Sequence, residues 1–286
     1  MQRTRAKQHH YVPKFYIERF ADLGGKVWVF DKSTGKVFAA SPVKLARERG
    51  FYEAPALGVE VDQSAMESML SDLEWEASRI IARWVHAIWE RPPGAMIVED
   101  GDRDIMATYV ATQALRTSEQ RNLLKQGLNQ AVEDTDLQGF HVAMLSDEFM
   151  RDAATAISDF IWILARNDSG SPFYTSDHPV VLRGHNHRCL HLFQFPQPGS
   201  ELLFPLSSTL MFYAYERTYW EKVARFNGSI SPVRFTPELV QSDNQAQVGH
   251  SRRFLFCDRD AFDFARSFCA EHPIVRDPNR SRFERH

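Results

Sequence analysis

Residues 63–90 read QSAMESMLSDLEWEASRIIARWVHAIWE, and their periodicity decides how the rest of the chain is read. Met66, Met69, Leu70, Leu73, Ala77, Ile80, Ile81, Trp84, Val85 and Ile88 recur at spacings of one, three and four. That pattern lays one broad apolar stripe along a long amphipathic helix. Asp62 stands where it can cap the start, and Pro92-Pro93-Gly94 stops the helix. The prediction is a helix over Gln63–Glu90 that buries Leu70, Leu73, Ile80, Ile81 and Trp84, with Glu67 and Glu74 at the margin of the stripe.

Downstream, a second helix is predicted from about Gly101 to Leu124 and a third from about Phe140 to Arg166. The segment Phe160–Leu164 is apolar all round, which places it centrally. After Arg166 the texture changes. PFYTSDHPVVL, CLHLFQF, ELLFPLSSTLMFYAY and RRFLFCD are short, aromatic and β-branched, separated by Gly, Pro and Asn, and read as strands. Helices are expected near Glu216–Arg225, Pro237–His250 and Ala261–His272, and residues 276–286, RDPNRSRFERH, read as a frayed basic tail.

Upstream, KVWVFDKSTGKVFAAS signals a β-hairpin turning at Ser33-Thr34-Gly35. Ser41-Pro42 starts a short helix to about Glu48, and Phe51-Tyr52 follows as a strand or anchor. Residues 1–13 read as an extended arm; Tyr11, Phe15, Tyr16 and Phe20 carry too much apolar surface to stay in water. Helical and strand halves that segregate along the chain indicate an α+β fold. We expect one compact domain over residues 1–286, with a helical part at about 62–166 and a strand-rich part at about 172–258. Its C-terminal sheet would be antiparallel or mixed, with the N-terminal hairpin joined to it or lying on it.

Composition narrows the function classes. Of 286 residues, 43% are hydrophobic and 25% charged, and 21 Phe, 8 Tyr and 6 Trp supply a large aromatic core, which is incompatible with disorder. A formal charge of −3 excludes a generally basic nucleic-acid coat, though not a local basic groove. Cys189, Cys257 and Cys269 form no C-x-x-C pair, so neither a disulfide framework nor a zinc knuckle is indicated. No signal-like run and no stretch of about 20 apolar residues is present. The expected location is cytoplasmic, with no membrane contact. Motifs for P-loop, dinucleotide, α/β-hydrolase and zincin chemistry are absent.

Three places carry residues able to do chemistry. In Gln8-His9-His10-Tyr11-Val12-Pro13, adjacent histidines of an extended segment point to opposite sides, so one can face inward. A His-His-x-x-Pro start before a hairpin and helix resembles the ββα-metal nucleases, but Pro42–Gly50 has no His or Asn to bind the metal. Ile105, Tyr109, Gln113 and Arg116 fall on one helix face, which delivers a guanidinium inward. A buried arginine implies an anionic partner: Glu74 in a structural ion pair, or a ligand. In Tyr174-Thr175-Ser176-Asp177-His178-Pro179, a strand ends at a carboxylate that either serves a site or bonds its own turn. The histidines of Gly184-His185-Asn186-His187-Arg188-Cys189-Leu190-His191 could bind a metal, but fit a polar loop better.

Taken in order, several motifs look familiar: His10-Tyr11-Val12-Pro13-x-x-Tyr16-Ile17-x-x-Phe20, Val27-Trp28-Val29-Phe30-Asp31-Lys32, Phe51-Tyr52, Arg116-Thr117, Thr175-Ser176-Asp177-x-Pro179, Phe204-Pro205-Leu206-Ser207 and Asn244. The set resembles the microbial family named domain of unknown function 4238, across roughly residues 8–257. The resemblance implies one whole-chain domain without an assigned reaction, and it directs attention to His10, Arg116, Asp177 and Asn244.

Two readings follow. In the first, His10, Glu74, Arg116, Asp177 and Asn244 line an enzyme-like pocket for a phosphate-containing or nucleic-acid substrate. Asp177, alone or with Glu74, would bind a divalent metal ion or act as acid or base. His10 would transfer a proton, while Arg116, Gln113 and Asn244 would hold the substrate. In the second, the same residues form a buried network in a non-catalytic binding or accessory module.

Overall fold

The protein, seen as a computed structural model, is described over residues 8–49, 51, 63–127, 147–186, 190 and 195–282. Expectations placed on Tyr52, Asp62, His187, Cys189 and His191 lie outside the described residues. Strand β1 (Gln8–His10) leads into a short helix, α1 (Lys14–Ile17), which continues as a 3-10 turn through Phe20. Tyr11, Tyr16, Ile17 and Phe20 are buried, as the aromatic load of the arm requires, and Phe15 is half-buried.

Strands β2 (Val27–Asp31) and β3 (Lys36–Ala40) form the predicted hairpin, with Gly35 at φ +73° in its turn. The helix predicted from Ser41 to Glu48 is replaced by a 3-10 turn, Pro42–Lys44, and strand β4 (Arg47–Arg49), which pairs antiparallel with β1. The pairing satisfies backbone groups that one isolated helical turn leaves to water.

Helix α2 (Gln63–Glu90) spans 28 residues and buries Leu70, Ile80, Ile81 and Trp84. Leu73 departs from expectation and is only partly buried, because it borders a cavity. The single helix predicted over 101–124 is two: α3 (Asp102–Leu115) and α4 (Ser118–Gly127), broken at Arg116-Thr117. The third predicted helix is also divided. Helix α5 (Asp147–Asp159) gives way to strand β5 (Ile161–Arg166), and residues 140–146 lie outside the described residues. Ile161–Ala165 are buried on both faces, so the strand shows no alternation and reads like a buried helix.

The chain continues through β6 (Thr175–Ser176), β7 (Val181–Arg183), β8 (Glu201–Ser207), β9 (Leu210–Tyr215), a 3-10 stretch at Glu221–Phe226, and β10 (Ser229–Ile230). That 3-10 stretch takes the place of the helix expected near Glu216–Arg225. Helix α6 (Pro237–His250), strand β11 (Phe254–Cys257) and helix α7 (Asp263–Glu271) complete the order. One mixed sheet runs β10-β5-β9-β8-β7, with only the β10–β5 pair parallel. Trp162, Phe204 and Phe212 on one face pack with Trp84 of α2, while Ile163, Leu203 and Met211 on the other pack with Val240 of α6. A second, antiparallel sheet runs β3-β2-β11-β6, so the N-terminal hairpin joins a C-terminal strand. The fold is α+β. Among the described residues, no helix is long and apolar enough to cross a membrane.

The tail needs the largest correction. Pro273–Arg276 is a 3-10 turn, and Arg280 and Arg282 are folded back with little exposure, because their guanidinium groups reach carbonyls at the end of α6. Residues 283–286 lie outside the described residues.

Candidate functional site

The break between α3 and α4 organises the polar interior. Arg116 still donates its N–H to Thr112 O, then turns out of the helical region at ψ 38°. Thr117 opens the next helix, its Oγ1 accepting the Gln120 N–H at 3.2 Å in the manner of an N-cap. Arg116, Thr117, Ser118, Glu119 and Gln120 are all buried in succession. Burying such a run costs free energy unless every group finds a partner.

On one side of the break, Arg116 is 2% exposed; its Nη1 lies 2.8 Å from Glu74 Oε1, and its Nε donates to Gln113 Oε1 at 3.3 Å. Gln113 passes the link on by donating from Nε2 to the Tyr11 carbonyl at 3.2 Å. His10 stands beside this pair, half-exposed, with Nε2 at 3.2 Å from Val43 O. Burial lowers its pKa, against the pull of the Val43 hydrogen bond; Glu74 and Arg116 act on it with opposite sign. The inward histidine of the pair is His9, whose Nδ1 lies 3.5 Å from Glu67 Oε1. The structure thus groups His10, Glu74, Gln113 and Arg116.

Asp177 lies apart from these bonds. Its Oδ1 accepts the Arg252 N–H at 2.8 Å, and its Oδ2 accepts those of Arg253 and Phe254 at 2.8 and 2.9 Å. The carboxylate therefore fixes the approach to β11. Asn244 is elsewhere again, accepting the Tyr174 N–H at 2.7 Å and donating to Pro172 O at 2.9 Å. Among the described residues, no group of three or more His, Cys, Asp or Glu side chains is arranged to hold a metal ion.

On the other side of the break is a chamber of about 50 Å³, lined by Glu119, Gln120, His178, His250 and Arg282 among apolar walls. The two imidazoles stack with centroids 6.3 Å apart and planes 11° from parallel. His178 Nδ1 lies 2.7 Å from Thr117 Oγ1. That hydroxyl already accepts from Gln120, so its one proton suits an acceptor Nδ1. Burial raises the Glu119 carboxyl pKa, against the pull of Arg282 and Arg280. The chamber has room for roughly one or two waters.

Sequence reasoning passed over Glu119, His250 and Arg282, and quoted Thr117 only as part of a motif. Thr117-Ser118-Glu119-Gln120 is a capping-box pattern inside an apparently continuous helix, and it marks the break. A second cavity, of about 550 Å³, lies between α2, α3 and α5, bordered by Met69, Leu73, Ala107, Thr112 and Met150. None of the predicted site residues lines it.

The sequence pattern of the family described as protein of unknown function (DUF4238) matches residues 8–261. The chain belongs to that family. The matched stretch contains both the Arg116 network and the α6 end, whereas Arg280 and Arg282 fall beyond it. No curated protein and no solved structure matches the chain.

Proposed function

We propose that this DUF4238 protein is a binding or accessory module whose polar residues brace the fold. One observation carries this reading: the charged and amide groups expected to serve a substrate are taken up within the chain. Asp177 accepts three backbone N–H groups, Arg116 is held by Glu74 and Gln113, and Asn244 clamps Pro172 and Tyr174. Buried polar networks of this kind can specify a fold without doing chemistry.

The deciding experiment is a metal-dependent activity screen on DNA, RNA and nucleotides, run beside thermal melting. We expect no turnover that depends on Asp177, and a lowered melting temperature for Asp177→Ala. Turnover abolished in Asp177→Asn, with an unchanged melting temperature, would overturn the reading.

A second reading, a hydrolase acting on a phosphate-containing or nucleic-acid substrate, draws support from the chamber instead. Glu119, His178 and His250 are titratable groups around one space, and Thr117 bonds the imidazole of His178. At about 50 Å³ that space is far below the size of a nucleotide site, and its arginine is engaged by Glu119 and carbonyls. In the same screen this reading requires His178→Gln to abolish a turnover that the wild type shows.

A further inference from the structure

The last carbonyls of a helix lack intrahelical donors and carry the negative end of its dipole. At the end of α6, three cations converge on them. Lys32 Nζ donates to Val248 O and Ser251 O at 2.7 and 2.8 Å. Arg280 Nη2 donates to Gly249 O and Ser251 O at 2.6 and 2.9 Å. Arg282 Nη1 donates to Gly249 O at 2.6 Å, and its Nη2 donates to His250 O and Ser251 O at 2.8 and 3.1 Å. The same Nη2 lies 2.7 Å from Glu119 Oε1.

The main chain of this strap is read as well. Gln126 donates from Nε2 to Arg280 O at 2.9 Å and accepts the Arg282 N–H on Oε1 at 2.8 Å. One side-chain amide thus grips an extended backbone on both its donor and its acceptor. Arg280 Nη1 also donates to Val275 O and Asp277 O within the tail at 3.2 and 3.0 Å, but the groove groups, at residues 119–126 and 248–251, lie inside the family match, whereas the strap lies beyond it. The strap, Asp277-Pro278-Asn279-Arg280-Ser281-Arg282, contains no large apolar side chain. The strap is held by polar contacts without an apolar anchor, the form that an exchangeable occupant takes.

We propose that the groove formed by Glu119, Gln126 and the α6 carbonyls is a docking site for an extended Arg-x-Arg peptide, which the chain's own strap fills in cis. Arg282 is also one wall of the His178–His250 chamber, so departure of the strap opens that chamber. The proposal stands independently of the role assigned to the Arg116 network.

The test uses the full chain carrying Arg280→Ala and Arg282→Ala, with a fluorescein-labelled synthetic peptide of residues 275–282 followed by anisotropy. The folded double variant should bind the peptide. The wild type should bind it about tenfold or more weakly, because a tethered occupant competes at an effective concentration of roughly millimolar. The peptide with both arginines changed to alanine should bind neither protein. A folded double variant that ignores the peptide, or that binds the alanine peptide equally well, overturns the proposal. If the double variant does not fold, the wild type decides. Excess arginine peptide, but not the alanine peptide, must then speed hydrogen exchange at the amides of Ser281 and Arg282, and unchanged exchange overturns the proposal.

Discussion

Arg116 Nη1 lies 2.8 Å from Glu74 Oε1, joining the first residue of the α3–α4 break to the long helix α2. The arginine is 2% exposed and the glutamate side chain 29%, so removing the carboxylate strands a charge that the arginine cannot carry to water. Glu74→Ala and Arg116→Ala should each lower unfolding free energy by about 3–5 kcal/mol, toward the lower end because Glu74 reaches solvent. The paired change Arg116→Met with Glu74→Leu should recover part of that loss. Urea unfolding measures all three, and a silent Arg116→Ala would remove the pair from the framework.

Asp177→Ala leaves the peptide N–H groups of Arg252, Arg253 and Phe254 without their acceptor. A fully buried group so stranded costs about 1–3 kcal/mol, and these half-buried residues set a lower cost for each. We expect Asp177→Ala to melt well below the wild type. Hydrogen exchange should quicken first at residues 252–254. Protection retained there would show that the carboxylate is dispensable to the approach of β11.

Ile81 is fully buried, whereas Leu73 borders the 550 Å³ cavity. Ile81→Ala should cost about 2–5 kcal/mol, and Leu73→Ala distinctly less, since part of that side chain already meets solvent. Equal losses in denaturant titration would mean that the cavity is closed in solution.

Asp243, on α6, accepts from the Tyr213 hydroxyl and lies 3.6 Å from Arg183. Burial pushes its carboxyl pKa up to about 6, with Tyr213 and Arg183 pulling the other way. A raised folded pKa means that the native state holds the proton more tightly than the unfolded chain does. Between the unfolded value of about 4 and the folded value, this group's contribution to stability therefore falls as pH rises. Asp243→Asn removes that dependence. Relative to the variant, the wild type should lose roughly 3 kcal/mol at most between pH 4 and pH 7. Chemical unfolding at unit pH steps tests this, and a constant difference would refute it.

Much of the architecture is legible where one face meets water. Helix α2 shows its stripe because its outer side is polar, and the β2–β3 hairpin is marked by its Ser33-Thr34-Gly35 turn. Strand β5 has no wet face, so its period vanishes, and only the β-branched and aromatic content of Ile161-Trp162-Ile163 favours a strand. Among the predicted site residues, the Arg116–Glu74 partnership followed from helical spacing and the cost of an unpaired charge. The separation of Asp177 and Asn244 from that pair depends on how β6, β11 and α6 meet, which local spacing does not encode. The tail arginines looked solvated because their partners are backbone carbonyls, which carry no residue-type signature.

Strand β2 lies between β3 and β11, and Asp31 at its end is held by Arg253 through Nε–Oδ1 and Nη2–Oδ2 contacts of 3.0 and 2.7 Å. A ribosome therefore releases β2 and β3 long before the strand that completes their sheet exists. At ordinary synthesis rates the delay is roughly 10–45 seconds. Throughout it, the nascent hairpin presents an unpaired edge next to Val27 and Val29, both destined for the core. Translation speed and chaperone supply should thus govern the yield of this protein more than the stability of its finished sheet does.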